Sequence, residues 1–389
     1  MRVCAISFKP CWQDDAGRWW SDGGFPLQMT GIRSLFDDMT LIITRSAPGR
    51  GGIALPADAE VVTLPLPDGF NLRRKVSFVT HIWYYVRTMT PIIRRADVVH
   101  LPLPGDIPFL GIVLAMLLRK RVIVRYGSSW VGTSEETMMT SLTKRVMRRF
   151  AGGRNVMITT GEGEAPPADG VHWIFSTAIT ERELRGIPYS TERGLGDPPR
   201  LAYIGRLSAE KGVANLVAAL AGLRRRGFAP MPHCSIIGDG PLRRELEDRV
   251  RGEGLESSFR FTGQLDRGAL SQLLTGLDFC VQPSLSEGFS KAWLDAFAHG
   301  LPVLASNVGA AAPVIGGDGV RGWLVPPGDP AALADCLARV IGGAVDWPAL
   351  RKRCREYTEK RTLEVWAQEI GRICAAQWHM RLVEGRLAL

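Results

Sequence analysis

Apolar residues gather along this chain in short unbroken runs, separated by stretches whose apolar positions recur at helical spacing. In the second half the alternation is regular. Leu201–Ile204 reads as a strand, the glycine-bounded loop Gly205–Gly212 follows it, and Val213–Arg226 reads as a helix. His233–Ile237 is the next strand, closed by Gly238-Asp239-Gly240-Pro241. Leu242–Val250 is helical, Phe259–Phe261 extended, Gly268–Leu274 helical and Asp278–Val281 extended. Lys291–His299, Leu301–Ala305, Leu324–Val325 and Pro330–Ile341 continue the series as helix, strand, strand and helix. Runs of this kind suit strands buried on both faces, so the pattern predicts a parallel sheet covered by helices.

The first half repeats this grammar less regularly. Strands are predicted at Arg2–Ser7, Thr40–Thr44, Val61–Leu64, Val98–Leu101 and Val122–Arg125. The most apolar run, Ile107–Leu118, has twelve residues and is closed by Arg119, Lys120 and Arg121. It is too short to span a bilayer and predicts a buried helix. Turn residues without periodicity mark Thr191–Pro199 as a linker. The expected division is therefore a first domain over 1–190, a linker over 191–199, a second domain over 200–360 and terminal helices over 361–389. The fold class is α/β, with two doubly wound domains facing across a cleft. In such sheets ligands sit at the carboxyl ends of the strands, so the loops there are where chemistry is expected.

Composition narrows this little, but charge adds to it. The 389 residues are 46% hydrophobic and 22% charged, which fits a globular chain and excludes collagen-like, disordered and disulfide-dense classes. The net charge is +9, and Asn71–Arg154 alone carries 15 basic and 4 acidic residues. That window implies an anionic partner. The seven cysteines are an odd number without any CxxC pair and read as buried reduced thiols. The start, MRVCAISF, is too short for a signal-peptide core and reads as a first strand. A cytoplasmic protein is expected, peripheral at the inner face of the plasma membrane if the basic window meets lipid.

Two loops carry candidate chemistry. In Tyr203–Gly212 (YIGRLSAEKG), Gly205 frees the backbone to turn, and Arg206 and Lys211 place two cations at the mouth of the sheet. Two cations there suit a diphosphate, although charges on a solvated loop are also common. In Ser284–Asp295 (SLSEGFSKAWLD), Glu287 follows a strand, Gly288 permits close backbone approach, and a helix begins near Phe289 or Ser290. The first turn of that helix offers N–H groups and a dipole to an anion. Glu287 can accept from sugar hydroxyls and Asp295 from a ribose diol. Read more plainly, Glu287 offsets the helix dipole and Asp295 is a surface residue.

These segments resemble the retaining GT-B glycosyltransferases of glycosyltransferase family 4. The matching pieces are YIGRLSAEKG, IIGDGPL, FTGQL, QPSLSEGFSKAWLDAFAHGLPVLAS and WLVPPGD, in order over about Pro199–Ile341. The resemblance implies that Arg206 and Lys211 bind a donor diphosphate, that Glu287 contacts the donor sugar, and that Asp295 contacts the ribose. It implies that backbone around Gly288, Phe289 and Ser290 holds phosphates and sugar, with Gly205 in the facing loop. It puts Gly23 and Gly24, in SDGGFP after the first strand, beside the donor phosphates. Where the family has a second glutamate this chain has Asp295, one methylene shorter. Where the family often has a histidine near the donor sugar, this chain reads VIVRYGSSW, leaving Arg125, Tyr126 or backbone to serve instead. The family's last helix crosses back onto the first domain.

The implied reaction moves a hexose from a nucleotide diphosphate sugar to a saccharide or polyprenyl-diphosphate-linked acceptor with retention, in bacterial surface polysaccharide or glycolipid assembly. No cofactor beyond that co-substrate and no metal is expected: no Asp-x-Asp occurs, and the six histidines are scattered. The basic window points to an anionic membrane surface. In Ser141–Phe150, Leu142, Val146 and Phe150 recur at i, i+4 and i+8 among Lys144, Arg145, Arg148 and Arg149, and His81–Arg87 adds aromatics. The same helix could instead bury that stripe in the core. Alternatives are a sugar-nucleotide epimerase or phosphorylase on the same fold, or a non-catalytic nucleotide-sugar-binding homologue. Nucleic acid is not an expected partner, since no recognition module accompanies the charge. A nicotinamide dehydrogenase is disfavoured because no GxGxxG follows the first strand.

Overall fold

The computed structural model describes residues 1–47, 49, 52–67, 69, 71–130, 137–190 and 192–388, without the side chains of 71 and 72. The chain divides into two compact units, Met1–Ala178 with Leu363–Leu389, and Ile179–Thr362.

In the first unit the chain runs β1 (Arg2–Gln13), β2 (Trp19–Ser21), α1 (Phe25–Arg33), β3 (Asp38–Arg45), β4 (Ile53–Ala54), β5 (Glu60–Leu64) and α2 (Asn71–Arg95). It continues through β6 (Val98–Leu103), α3 (Asp106–Leu117), β7 (Arg121–Tyr126), α4 (Met138–Phe150), β8 (Asn155–Thr160) and β9 (Val171–Ile174). The parallel strands lie in the order β5-β3-β1-β6-β7-β8-β9, and β2 folds back antiparallel on the end of β1. Alternate strand residues face opposite ways. Ile6, Val99, Val124 and Met157 pack with Tyr85, Met89 and Ile93 of α2, Ile112 of α3 and Met147 of α4. Val3, Leu41, Ile123 and Ile158 pack on the other face with Met29 and Ile32 of α1.

The second unit opens with α5 (Glu181–Gly186) and then alternates: β10 (Arg200–Ile204), α6 (Val213–Arg225), β11 (His233–Ile237), α7 (Arg243–Gly252), β12 (Phe259–Gly263) and α8 (Arg267–Thr275). β13 (Phe279–Gln282), α9 (Lys291–Ala298), β14 (Val303–Ser306), α10 (Ala311–Ile315), β15 (Gly322–Val325), α11 (Pro330–Gly342) and α12 (Trp347–Glu359) complete it. Its six strands are all parallel, in the order β12-β11-β10-β13-β14-β15. The order reverses between β10 and β13. Loops leaving these two neighbours turn to opposite faces, and the crevice between them is where doubly wound sheets bind ligands.

After the second unit, α13 (Leu363–Trp378) and the hairpin β16 (Arg381–Val383) and β17 (Arg386–Ala388) return to the first. Trp366, Ile370 and Cys374 enter the core beside α1. A Cβ on Gly31 would stand 3.3 Å from the Trp366 ring, so a larger residue here would press on this seat.

Four expectations change in detail. The units meet in sequence at Ala178/Ile179 rather than near 190. Of the expected linker, Thr191 lies outside the described residues, and the rest is fastened to the second unit: Arg193 donates to the Thr275 and Gly276 carbonyls and, at 2.8 Å, to the buried Asp278. The apolar helix α3 is buried on one side only, with Val113 and Leu117 exposed. In α4 the core takes Thr143, Lys144 and Met147, while Leu142 and Phe150 face solvent. A charged side chain is accommodated there because the Lys144 ammonium lies 5.9 Å from the centre of the Tyr126 ring.

Candidate active site

Two loops at the carboxyl edge of the second sheet build the site. The first leaves β10 at Gly205. Tyr203, buried on that strand, donates its hydroxyl to the Arg206 carbonyl at 2.8 Å, which fixes the turn. Burial, reinforced by the nearby Glu287 and Glu210 carboxylates, pushes the Tyr203 hydroxyl pKa up, so it remains a donor. Arg206 is exposed at the rim. A single 3-10 turn, Ala209–Lys211, then delivers Lys211 before α6. Ser208 donates to Glu210 at 2.6 Å and holds that carboxyl below its usual range.

The second loop leaves β13 at Pro283 and enters α9 at Ser290. The two loops are stitched by backbone: Leu285 N–H donates to the Glu210 carbonyl at 2.8 Å. They fit because Gly212 has φ +65° and a Cβ there would lie 2.0 Å from the Pro283 oxygen. A second glycine does the same work from the other side. Gly309, φ +56°, would put a Cβ 1.9 Å from the Glu287 oxygen, and the next residue, Ala310, donates to the Gly288 carbonyl at 2.9 Å. The segment Glu287–Gly288 is thus clamped between neighbouring loops.

The clamp brings Lys211 Nζ to 2.6 Å from Glu287 Oε2, with both side chains partly open to solvent. Beyond Glu287, Phe289 is buried against Trp293 at 5.7 Å between ring centres, which seats the start of α9. Ser290 occupies the N-cap position without a side-chain cap, so its hydroxyl is not spent on the first turn. The edge therefore offers two cations, the carboxylates of Glu210 and Glu287, and a helix N-terminus within two adjacent loops. Such a set can bind an anion and a polyol together.

Asp295 sits a turn further along α9 in a partly buried ion pair. Arg267 Nη2 lies 3.5 Å from its Oδ1, and Arg267 Nε lies 2.6 Å from Glu183 Oε1. Burial raises the Asp295 pKa and Arg267 opposes the rise. Asp295 is therefore no plain surface residue. Arg267 and Tyr203 are site-forming residues that sequence reasoning passed over. Tyr203 was signalled by its place in the motif, but nothing local marks Arg267.

The remaining candidates belong to the first unit. Gly23 and Gly24 follow β2 rather than the first strand, and Gly24 is the N-cap residue of α1. Arg125 and Tyr126, at the end of β7, are both buried. Arg125 donates to Gln28 Oε1 at 3.0 Å and stacks 5.6 Å from the Trp366 ring, and Tyr126 meets Trp130 edge-on. All seven cysteines are buried and free. Among the described residues no group of three His, Cys, Asp or Glu side chains is placed to hold a metal ion, and no helix is long and apolar enough to cross a membrane.

Residues 198–342, which contain both loops, match the family described as glycosyl transferases group 1. The chain is 33% identical over 193 residues to 2-deoxystreptamine N-acetyl-D-glucosaminyltransferase of Streptomyces fradiae, covering 46% of this chain and 45% of that one. It is 34% identical over 175 residues to glycogen synthase of Mycobacterium tuberculosis, covering 45% and 41%. The chain thus matches under half the length of these curated relatives. Among solved structures, Anabaena HepE in complex with UDP and glucose superimposes with a TM-score of 0.70 at 16% identity, over 97% of this chain and 100% of that one. Sucrose-phosphate synthase from Thermosynechococcus elongatus gives 0.69 at 18%, over 97% and 99%. At such identities the likeness is one of fold.

Proposed function

We propose, from the premise that residues 198–342 are a glycosyl transferases group 1 domain in a chain of GT-B fold, that this protein is a retaining hexosyltransferase using a nucleotide diphosphate sugar. The observation that carries the reading is the Lys211–Glu287 pair at the switch point of the second sheet, beside the start of α9. Lys211 and Arg206 bind the donor diphosphate and offset the charge that grows on it as the anomeric C–O bond breaks. Backbone N–H groups at the start of α9, approached through Gly288, Phe289 and Ser290, share that charge. Glu287 accepts from donor sugar hydroxyls and Asp295 from the ribose. Gly205 keeps the facing turn open, and Gly23 and Gly24 are read as a phosphate-binding loop of the first unit.

The acceptor oxygen bonds to the anomeric carbon from the side the diphosphate leaves, and its proton passes to a departing phosphate oxygen. No protein nucleophile and no metal ion take part in this scheme. Because the HepE structure was solved with UDP and glucose, UDP is the first base to test. The acceptor is read as a saccharide or polyprenyl-diphosphate-linked saccharide for bacterial surface polysaccharide or glycolipid assembly. The basic window of the first unit supports an anionic membrane surface as its setting.

Thermal shifts with UDP, GDP and ADP test the donor site directly. A ligand that binds only the folded chain raises its melting temperature, so one of the three is expected to do so. No shift with any of them would refute the reading.

A further inference from the structure

Three helices, α2, α3 and α4, cover one face of the first sheet. Their inward residues pack into the core, and each helix also carries exposed apolar residues on its outward side. Along α2, Tyr85, Met89 and Ile93 point into the core. On the opposite side of the same helix, Val76, Val79 and Trp83 recur at i, i+3 and i+7 and are 56%, 62% and 73% exposed. Leu117 of α3 adds 75% exposure, and Leu142 and Phe150 of α4 are exposed as well. Scattered single apolar residues on a surface need no explanation; an ordered stripe that ends on a tryptophan does.

The charge around the stripe is of one sign. The three helices together carry ten Lys or Arg and a single acid, Asp106. Asp106 is engaged by Arg74 at 3.4 Å. Arg87, Arg94, Arg145 and Arg149 are exposed among the apolar residues. Exposed aromatic and aliphatic side chains on helices this rich in arginine complement the interface of an anionic bilayer, where the apolar groups enter the headgroup boundary and the cations meet phosphate. Each of these helices follows a parallel strand and so begins at the carboxyl edge of the sheet. A bilayer seated on their outer face would border the edge where this sheet's ligand is expected.

We propose that the outer face of α2, α3 and α4, centred on Trp83, docks the protein onto anionic lipid bilayers. This deepens the membrane part of the reading above and does not depend on donor chemistry. It moves the principal contact from Ser141–Phe150, whose stripe is only a flank, to the solvent side of α2.

Flotation of the full chain with phosphatidylcholine vesicles, with and without phosphatidylglycerol, tests it. Wild type is expected to float with the anionic vesicles only and to be released by salt. Arg87→Gln/Arg94→Gln/Arg145→Gln is expected to lose on the order of a hundredfold in partitioning. Val79→Ser/Trp83→Ser is expected to lose on the order of tenfold. Both variants change exposed side chains, so melting temperature and any nucleotide-induced shift should match wild type. Equal flotation of wild type and both variants would overturn the proposal, as would no flotation at all. A concentration-dependent dimer abolished by Val79→Ser/Trp83→Ser, without vesicle binding, would assign the face to a second copy instead. Vesicle binding without any nucleotide shift would spare this proposal and sink the glycosyltransferase reading.

Discussion

Lys211 Nζ and Glu287 Oε2, 76 positions apart in the chain, meet at 2.6 Å because two loops of neighbouring strands are laced together beneath them. The pair joins the cation assigned to the diphosphate and the carboxylate assigned to the sugar. Each side chain therefore holds the other in place, whatever else it binds.

Glu287→Gln and Lys211→Ala are each expected to lower donor turnover a hundredfold or more, about 2.7 kcal/mol or above in transition-state stabilisation. Hydrolysis of the donor nucleotide sugar in water reads this without knowledge of the acceptor. Losing one partner of this largely buried pair costs about 1–2 kcal/mol of stability, which leaves the chain folded. Wild-type turnover in either purified variant would refute the assignment.

Gly309→Ala tests the clamp from outside the site. Its Cβ would collide with the Glu287 backbone carbonyl oxygen at a positive φ, so both stability and turnover should fall. Gly317→Ala is the control. Its φ is +80° and nothing lies within 4 Å of a Cβ, so it suffers only the backbone penalty of about 1–2 kcal/mol. Turnover lost equally in both would mean that the clamp has no bearing on Glu287.

Asp295 has two claims on it, ribose and Arg267. If the ribose claim holds, Asp295→Ala weakens nucleotide affinity about tenfold, the worth of one charge-assisted hydrogen bond of about 1.5 kcal/mol. Arg267→Ala should leave affinity nearly unchanged while lowering the melting temperature. Titration calorimetry on the two variants separates the claims, since equal losses of affinity would assign Asp295 to the ion pair alone.

Acid should unfold the first unit through His100. Burial, and next the charge of Arg125, hold its pKa at about 3 against an ordinary 6.5. Between those values the unfolded chain binds the extra proton, so stability is complete above 6.5 and falls as pH drops toward 3. The slope is about 1.4 kcal/mol per pH unit. At pH 5 the loss from this residue is about 2 kcal/mol. A His100→Asn chain should show a correspondingly smaller drop in melting temperature between pH 7 and pH 5.

Much of this fold was legible because its strands are apolar runs and its turns are glycines. The strand His233–Ile237 and the helix starts at Val213 and Lys291 stand where the pattern put them. Asn155–Thr160 and Val171–Ile174 went unread as strands, for β8 mixes polar Asn and Thr with its apolar core and β9 is only four residues long. The helix Asn71–Arg95 went unread: only the aromatics of His81–Arg87 were singled out, because Pro91 lies inside it and apolar residues occupy two of its faces. Of the site, the residues were legible by motif, but their partners were not. No spacing in the chain says that Arg267 reaches Asp295, or that Arg125 turns inward to Gln28 rather than outward to a substrate. Such contacts depend on which loops the sheet order brings together.

A chain ending at Thr362 should leave the first unit without a stable core. It would lack Trp366, Ile370 and Cys374, and each large apolar side chain of that kind contributes roughly 1.5–3 kcal/mol. Residues 1–178 expressed alone should show weak protection in hydrogen exchange, and adding 363–389 in trans should restore it. A stable, protected 1–178 would refute this.

The same discontinuity sets an order of events at the ribosome. The first half of the chain emerges first but must wait for the last helix, Leu363–Trp378, before its sheet is covered on the α1 face. The second unit, although later in sequence, has all of its residues in hand by Thr362. The loops that carry Lys211 and Glu287 are therefore built before the N-terminal unit is closed, and a nascent chain stalled short of α13 would leave its hydrophobic α1 face to chaperones.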